Sequence, residues 1–338
     1  MRIRGVEYRS DVGTILLAVS SLGAGASAIT AGSWPRVSRR LLRLSVVGIW
    51  SAVALATVAL IRTDPRCALD ASHTRPALSL IRRVMGLWAG SAGSLLVFTA
   101  ILSVVLVFAP ALKHQRVAPP ILVAVLTMAC AWVVSPFERL DAPVVEGSGI
   151  GPTAEHWTMV VNPPVLYLGL ALALVPGLAH PIPTPGWNRA ALATLSLAIA
   201  LATAWHYVEL GWSGWWEWDP VANTALVVWM LLLASLRLPN RHHLTQRILL
   251  GVWPVVFVGL ALSRTSPSPS IHAFAVDDTL RWVLWPISLA AAALAVGIQH
   301  RFPTHAPTDR HHLIQVGLLL FAATLVALGT LSLPPLGR

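Results

Sequence analysis

The chain has 338 residues, 56% of them hydrophobic and only 11% charged, with a mean hydropathy of +0.69. A soluble domain carries about 25% charge, so the composition excludes a water-soluble fold and implies a polytopic membrane protein whose fold the bilayer sets. The net charge of +10 would suggest nucleic acid in a soluble protein. Here the arginines sit mostly in short loops, where anionic headgroups and membrane orientation account for them, and no nucleic-acid motif is present.

A span needs about 20 mainly apolar residues, and the sequence predicts an all-α bundle of about ten transmembrane helices in one membrane domain over residues 1–338. The polar N-terminus, Met1–Asp11, lacks a signal-peptide cleavage pattern, so the first span is expected to be retained. That span runs from Val12 to Ala31 and is rich in Gly, Ala and Ser, which permit close helix packing. An arginine loop follows (Arg36, Arg39, Arg40, Arg43), then span two, Leu44–Ile61. In the polar connection Arg62–Ser91, Leu78, Ile81, Met85 and Trp88 recur at helical spacing. They predict an amphipathic helix over Pro76–Trp88 lying in the interface. Span three is Ala92–Leu112 and span four Pro119–Val134. A second long loop, Ser135–His156, carries four carboxylates. Span five, Val160–Leu178, is entered through Asn162-Pro163-Pro164, and span six is Ala190–Tyr207. The remaining spans are Val221–Leu236, Ile248–Leu262, Trp282–Ile298 and Leu313–Leu331, with the polar loop Ser263–Arg281 between the eighth and ninth. Cys67 and Cys130 are far apart and form no CxxC. Cys130 lies in an apolar run and reads as buried packing.

Ten spans place both termini on one face. That face holds 13 of the 14 acidic residues, while Lys and Arg divide evenly, so the count over all loops does not decide orientation. The orientation rule weights short loops most. The short basic loops, such as Arg237–Arg247, all lie on the acid-poor face, which predicts that face in the cytoplasm and the opposite loops outside.

Between spans six and seven stands Gly211–Asn223, GWSGWWEWDPVAN. It gathers Trp212, Trp215, Trp216 and Trp218 with Glu217 and Asp219. Tryptophan suits the membrane–water boundary, so an interfacial aromatic belt is one reading. Four tryptophans in seven residues also build a flat apolar shelf fit for a large planar ligand with polar edges. Such a ligand, if an iron porphyrin, needs an aromatic surface, cations for its propionates and axial ligands, usually His. Twelve histidines are present, most of them in loops read as cytoplasmic and solvated. His272 stands in the opposite loop beside Ala273-Phe274-Ala275, His206 near the end of span six, and His156 six residues before Asn162. Each reads either as a ligand or as a hydrogen-bonded interfacial histidine. Glu209, Glu217 and Asp219 can accept from tryptophan N–H groups or orient a ligand histidine. Arg264 and Arg281 flank the His272 loop as propionate partners or as snorkelling membrane-edge cations.

The run Tyr207–Asn223 resembles the tryptophan-rich WWD signature, WGGWWxWDPxEN, of the cytochrome c assembly superfamily (CcmC, CcmF, CcsA), and looks most like CcmF-like haem lyase subunits. Further landmarks follow in order: WAGSAGS at Trp88–Ser94 for the family's WGAHEGS, SPF at Ser135–Phe137 for SNPF, NPPVLYLGL at Asn162–Leu170 for HPPLLYLGY, and SIHAFA at Ser270–Ala275 for SVHAFA. The likeness covers residues 88–275, with the tryptophan-rich outer loop at 209–223. The resemblance implies haem, b-type and carried as a substrate, laid on Trp212, Trp215, Trp216 and Trp218. Asp219, Glu209 and His206 would lie beside it, with His272 on the iron. It also implies apocytochrome c and other cytochrome c maturation membrane subunits as partners, and a multi-pass place in the inner (plasma) membrane with the tryptophan loop on the periplasmic side. No nucleophile or acid/base pair of the chain itself makes the thioether bond; the apocytochrome's own cysteines are needed. CcmF-type chains continue for several further spans.

The departures are as informative. Asn162 stands where the family has its HPP histidine, Ser91 and Ala92 where WGAHEGS has His and Glu, and Ala222 where DPxEN has Glu, although Asn223 remains. Gapless counting from Asp219 brings the family's intramembrane histidine to Arg237. These losses leave a second reading open, a homologue that no longer binds haem and serves as a structural or docking subunit. A small-solute transporter is a weaker third, since mid-span charges are missing.

Overall fold

The structure is a computed structural model of the chain and describes residues 12–109, 117–144, 146–179, 185–209, 218–238, 243–265, 276–299 and 310–332. The described residues form α-helices and two short 3₁₀ turns, with one isolated antiparallel bridge between Cys67 and Arg139. Eight helices are long and apolar enough to cross a membrane: α1 (Val12–Thr30), α2 (Pro35–Arg62), α5 (Ser91–Phe108), α7 (Thr158–Ala179), α8 (Pro185–Glu209), α10 (His243–Thr265), α11 (Arg281–Gln299) and α12 (Arg310–Ser332). Two shorter apolar helices, α6 (Ala118–Trp132) and α9 (Pro220–Leu236), complete the set. These ten coincide with the ten predicted spans, and the fold is all-α and polytopic as expected. Two six-residue helices, α3 (Ala68–His73) and α4 (Leu80–Met85), lie in the connection after α2.

Proline sets several helix starts. Pro35 opens α2 and Pro220 opens α9, where a missing N–H costs nothing and the fixed φ is already helical. The arginine loop expected before span two is a helix. Arg36, Arg39, Arg40 and Arg43 follow i, i+3, i+4, i+7 spacing, so α2 begins at Pro35 and carries all four on its exposed face. Ser38, Leu42 and Ser45 of the same turns are buried.

The chain divides into two compact units, the first comprising Met1–Val107 and Lys113–Pro164 and the second Phe108–Leu112 and Val165–Arg338. In the first, α1 packs on α2 and α6 through small residues. Ser27 Oγ donates to Ser38 O (2.9 Å) and Ser38 Oγ back to Ser27 O (2.8 Å), while Ser21 Oγ donates to Ala124 O (2.9 Å). In a bilayer, where burial from water cannot drive helix pairing, such close backbone approach and hydrogen bonding carry the association.

The two long connections of this unit are laced together. Ala68 N donates to Glu138 O, Leu140 N to Arg66 O and Val144 N to Pro65 O, each at 2.8 Å, and Ser148 N donates to Ala71 O at 2.9 Å. Arg139 pairs with Asp64 and Arg82 with Glu155, both at 3.0 Å. Arg83 gathers three carbonyls, those of Leu78, Pro76 and Ile61, the last in the final turn of α2. The interfacial amphipathic helix expected over Pro76–Trp88 is shorter and turned differently. Leu78 and Met85 are buried with Ile150, and Trp88 packs against them and donates Nε1–H to Met159 O at 2.9 Å. The predicted apolar stripe therefore faces the protein, with only Ile81 of its members, and Leu80 beside it, left exposed.

In the second unit α9 is the central element, packing on α8, α10 and α12. Polar pairs join it to α8: Asn188 Nδ2–H to Ser235 Oγ (2.6 Å) and Trp229 Nε1–H to Ser196 Oγ (2.8 Å). Gly259 of α10 lies so close to Thr224 of α9 that a Cβ there would overlap the threonine side chain. At the other end of α9, Ala234 and Leu238 enclose Ile248 and Val316 in an apolar cluster.

Candidate functional site

The tryptophan-rich stretch lies between α8 and α9, and its flanks are well defined. His206 sits in the last turn of α8, 3% exposed, its ring tilted against buried Trp205 at 5.2 Å between centroids. Glu209 is the last residue of α8 and half-buried. On the far side Asp219 is the N-cap of α9. Its Oδ1 accepts from Val221 N at 2.8 Å and Ala222 N at 3.3 Å, satisfying two amides that the first turn leaves without helical partners. The cap thus gives hydrogen-bond partners to a side chain only 1% exposed. The Asp-Pro pair carries this signal in the sequence, whereas residue type alone directs the carboxylate to tryptophan N–H groups or a ligand histidine.

Trp218 is half exposed, and its six-membered ring lies over Gly329 of α12. Asn223, one turn into α9 and 1% exposed, donates Nδ2–H to Thr330 Oγ1 at 2.9 Å. Trp212, Trp215, Trp216 and Glu217 lie outside the described residues, as does His272 with the whole SIHAFA segment. The stem of the His272 loop is described. Asp277 N donates to Arg264 O at 2.7 Å, and Trp285 Nε1–H donates to Thr265 Oγ1 at 3.2 Å, so the ends of α10 and α11 are tied together. Asp277 caps the 3₁₀ turn that leads into α11. Of the two arginines flanking the loop, Arg264 is 4% exposed. Arg281 pairs with Asp278 at 2.6 Å.

The residues at the head of α7 belong to the first unit. His156 Nδ1 shares a 2.8 Å hydrogen bond with Thr158 Oγ1, at the helix start. Asn162 is 7% exposed, and its Oδ1 has no hydrogen-bond partner among the described residues. Arg237, reached by counting from Asp219, is the exposed C-cap of α9 rather than a residue within the span. Among the described residues no three His, Cys, Asp or Glu side chains come together to hold a metal ion.

A further electrostatic perturbation lies elsewhere, at α3 and its N-cap, and sequence reading did not single it out. Burial pushes the Asp70 carboxyl up to about 7, with the neighbouring Asp64 charge adding to it and Arg139 opposing. Burial and the Asp70 charge push the Cys67 thiol up to about 12. Burial also lowers His73, whose ring covers Gly90. No periodic signal marks Asp70, which lies in α3 between the Ala68 N–Glu138 O and Ser148 N–Ala71 O hydrogen bonds.

No protein-family model matches the chain. It is 30% identical over 349 residues to the probable cytochrome c-type biogenesis protein NrfE of Escherichia coli (strain K12), an alignment covering 88% of this chain and 61% of that protein. It is 31% identical to the cytochrome c-type biogenesis protein CycK of Bradyrhizobium diazoefficiens, over 72% of this chain and 41% of the relative. It is also 30% identical to the cytochrome c-type biogenesis protein CcmF of Escherichia coli (strain K12), over 70% of this chain and 41% of the relative. The chain thus spans between two fifths and three fifths of these relatives' lengths. Its fold matches a solved cytochrome c haem lyase CcmF with a TM-score of 0.69 at 21% identity, covering 98% of this chain and 58% of that one. The ten helices, the landmarks in order and these likenesses make this a CcmF-like chain, similar to cytochrome c-type biogenesis proteins over part of their length.

Proposed function

We propose that the protein acts in cytochrome c maturation by holding or presenting haem for attachment to apocytochrome c. Residues 88–275 form the cytochrome c assembly region of the chain. Haem is carried as the substrate, b-type before attachment, and lies on the shelf of Trp212, Trp215, Trp216 and Trp218. His272 is the iron ligand, and Glu209 and Asp219 border the shelf. The protein is a multi-pass component of the bacterial inner membrane, with the shelf on the periplasmic face where apocytochrome c arrives. Other cytochrome c maturation membrane subunits are its partners.

The observation that carries the reading is the construction around residues 209–223. A buried histidine ends the helix before the aromatic stretch, and a capped helix begins straight after it. Both flanks are therefore fixed, as a surface for a rigid planar ligand requires. His206 is the second-ligand candidate, because it is a buried imidazole five residues before the first glycine of the stretch.

The test is the visible spectrum of the full chain, purified in detergent from haem-replete cells, beside His272→Ala and His206→Ala. A Soret band lost or shifted in His272→Ala supports the reading, and a further change in His206→Ala names the second ligand. A folded wild-type protein with no Soret band overturns it in favour of a docking subunit.

A further inference from the structure

We infer that α12 is the seat of Trp218: Gly329 and Thr330 act as positioning residues that fix where Trp218 and the start of α9 stand. The inference rests on the haem reading for its functional meaning. Its structural part stands on the contacts of α12.

The helix is otherwise lightly held. Ile314, Leu318, Phe321, Leu325 and Leu328 are all more than half exposed, Val316 and Ala323 are buried, and Leu319 and Leu320 pack partly buried against the α9 cluster. Near its C-terminal end two adjacent residues make specific contacts. A Cβ built on Gly329 would stand 2.8 Å from Trp218 Cζ3, 3.2 Å from Cη2 and 3.3 Å from Cε3. The indole thus lies on the bare backbone of α12, in space that any side chain would occupy. Thr330 Oγ1 donates its proton to Val326 O at 2.7 Å, which leaves its lone pairs to accept from Asn223 Nδ2–H at 2.9 Å. A hydroxyl supplies one proton and two lone pairs, so the direction of this chain is set.

The two contacts straddle the Asp219–Pro220 helix start. Trp218 precedes the cap and Asn223 follows it by one turn, its N–H bonded to Asp219 O at 2.9 Å. One contact fixes position; two at different points also fix rotation. The side chain that ends the tryptophan stretch is therefore oriented by a helix about one hundred residues further along the chain. A shelf that must accept a flat ligand loses grip when its end is lifted.

The experiment uses the full chain in detergent with Gly329→Leu, Thr330→Val and Thr330→Ser. Gly317→Leu serves as control, since that glycine of the same helix faces open space. Haem per protein and Soret position are read first. The ¹⁹F resonance of Trp218 in 5-fluorotryptophan-labelled protein, assigned with Trp218→Phe, gives a haem-independent readout. Gly329→Leu is expected to lower bound haem on the order of tenfold, Thr330→Val about threefold, and Thr330→Ser to restore it. The Trp218 resonance should move in the first two and stay in Gly317→Leu. Wild-type protein that binds haem, with haem and resonance unchanged in Gly329→Leu and Thr330→Val, overturns the positioning role and leaves the haem reading intact. Wild-type protein without haem, with the Trp218 resonance moved in Gly329→Leu and Thr330→Val but not in Gly317→Leu, upholds the seat and overturns the haem reading.

Discussion

The two units use their carboxylates differently outside the helices. In the first unit Asp64 and Glu155 reach across to arginines of other segments, and backbone hydrogen bonds stitch the segment after α2 to the segment after α6. That region is a self-supporting cap. In the second unit Asp219 and Asp277 turn back on local backbone amides, closing helix or turn starts beside the tryptophan and His272 stretches. The first arrangement holds loops to each other. The second closes the ends of loops. This difference predicts where substitutions act on stability alone and where they also act on haem.

The largest effect is expected in the cap. Asp70 is 2% exposed, and its pKa lies near 7 against an ordinary 3.8. Between those values the folded protein holds a proton that the unfolded chain releases, so stability falls as pH rises from about 4 to about 7 and is flat above. Asp70→Asn removes this penalty. It should raise stability at pH 8 by on the order of 2–4 kcal/mol and flatten the pH profile of thermal unfolding across that window. An unchanged profile in the variant would mean that Asp70 is solvated or paired. Arg83→Met comes next: losing the donors to the Leu78, Pro76 and Ile61 carbonyls should cost about 2–3 kcal/mol. A thermal scan reads it, and bound haem in the surviving folded fraction should not change.

At the boundary of the second unit the same kind of change acts on both. Asp219→Ala removes the cap of α9 and should cost about 1–2 kcal/mol, with Asp219→Asn within a few tenths of the wild type. Amide exchange at Val221 and Ala222 should speed up in the alanine variant. Because Asp219 directly follows Trp218, bound haem should fall as well. A loss of stability with haem fully retained would place the cap among purely structural devices and erase the contrast between the units.

How much of this the sequence shows depends on the physics involved. Ten spans were readable because the bilayer demands long apolar runs. The start of α2 was not, because arginines at helical spacing carry no apolar signal although they continue the helix. The apolar stripe Leu78, Met85, Trp88 was readable as a helical face, but its partner was not. What covers it is Ile150, from a segment some sixty to seventy residues away, and periodicity is blind to pairing at that distance. Burial of Asp70 escaped for the same reason. At the site, the tryptophan cluster and His206 stand out by residue type. The support of Trp218 by Gly329 does not, since a glycine in an apolar helix looks like ordinary close packing until its neighbour is known.

The smallest effect is expected at Arg281, and it sharpens the contrast from the other side. Arg281 pairs with Asp278 three residues before it, and both side chains are substantially exposed. Exposed pairs of this kind contribute little, because water screens them and two long side chains must be ordered to make them. Arg281→Ala should therefore shift thermal stability by less than about 0.5 kcal/mol. If the guanidinium also meets a haem propionate, the variant will lose bound haem with its stability intact. Such a split would show that the second unit's loop ends carry charge for a ligand, whereas Arg139→Ala, which breaks the partly exposed 3.0 Å pair with Asp64 in the cap, should leave bound haem untouched.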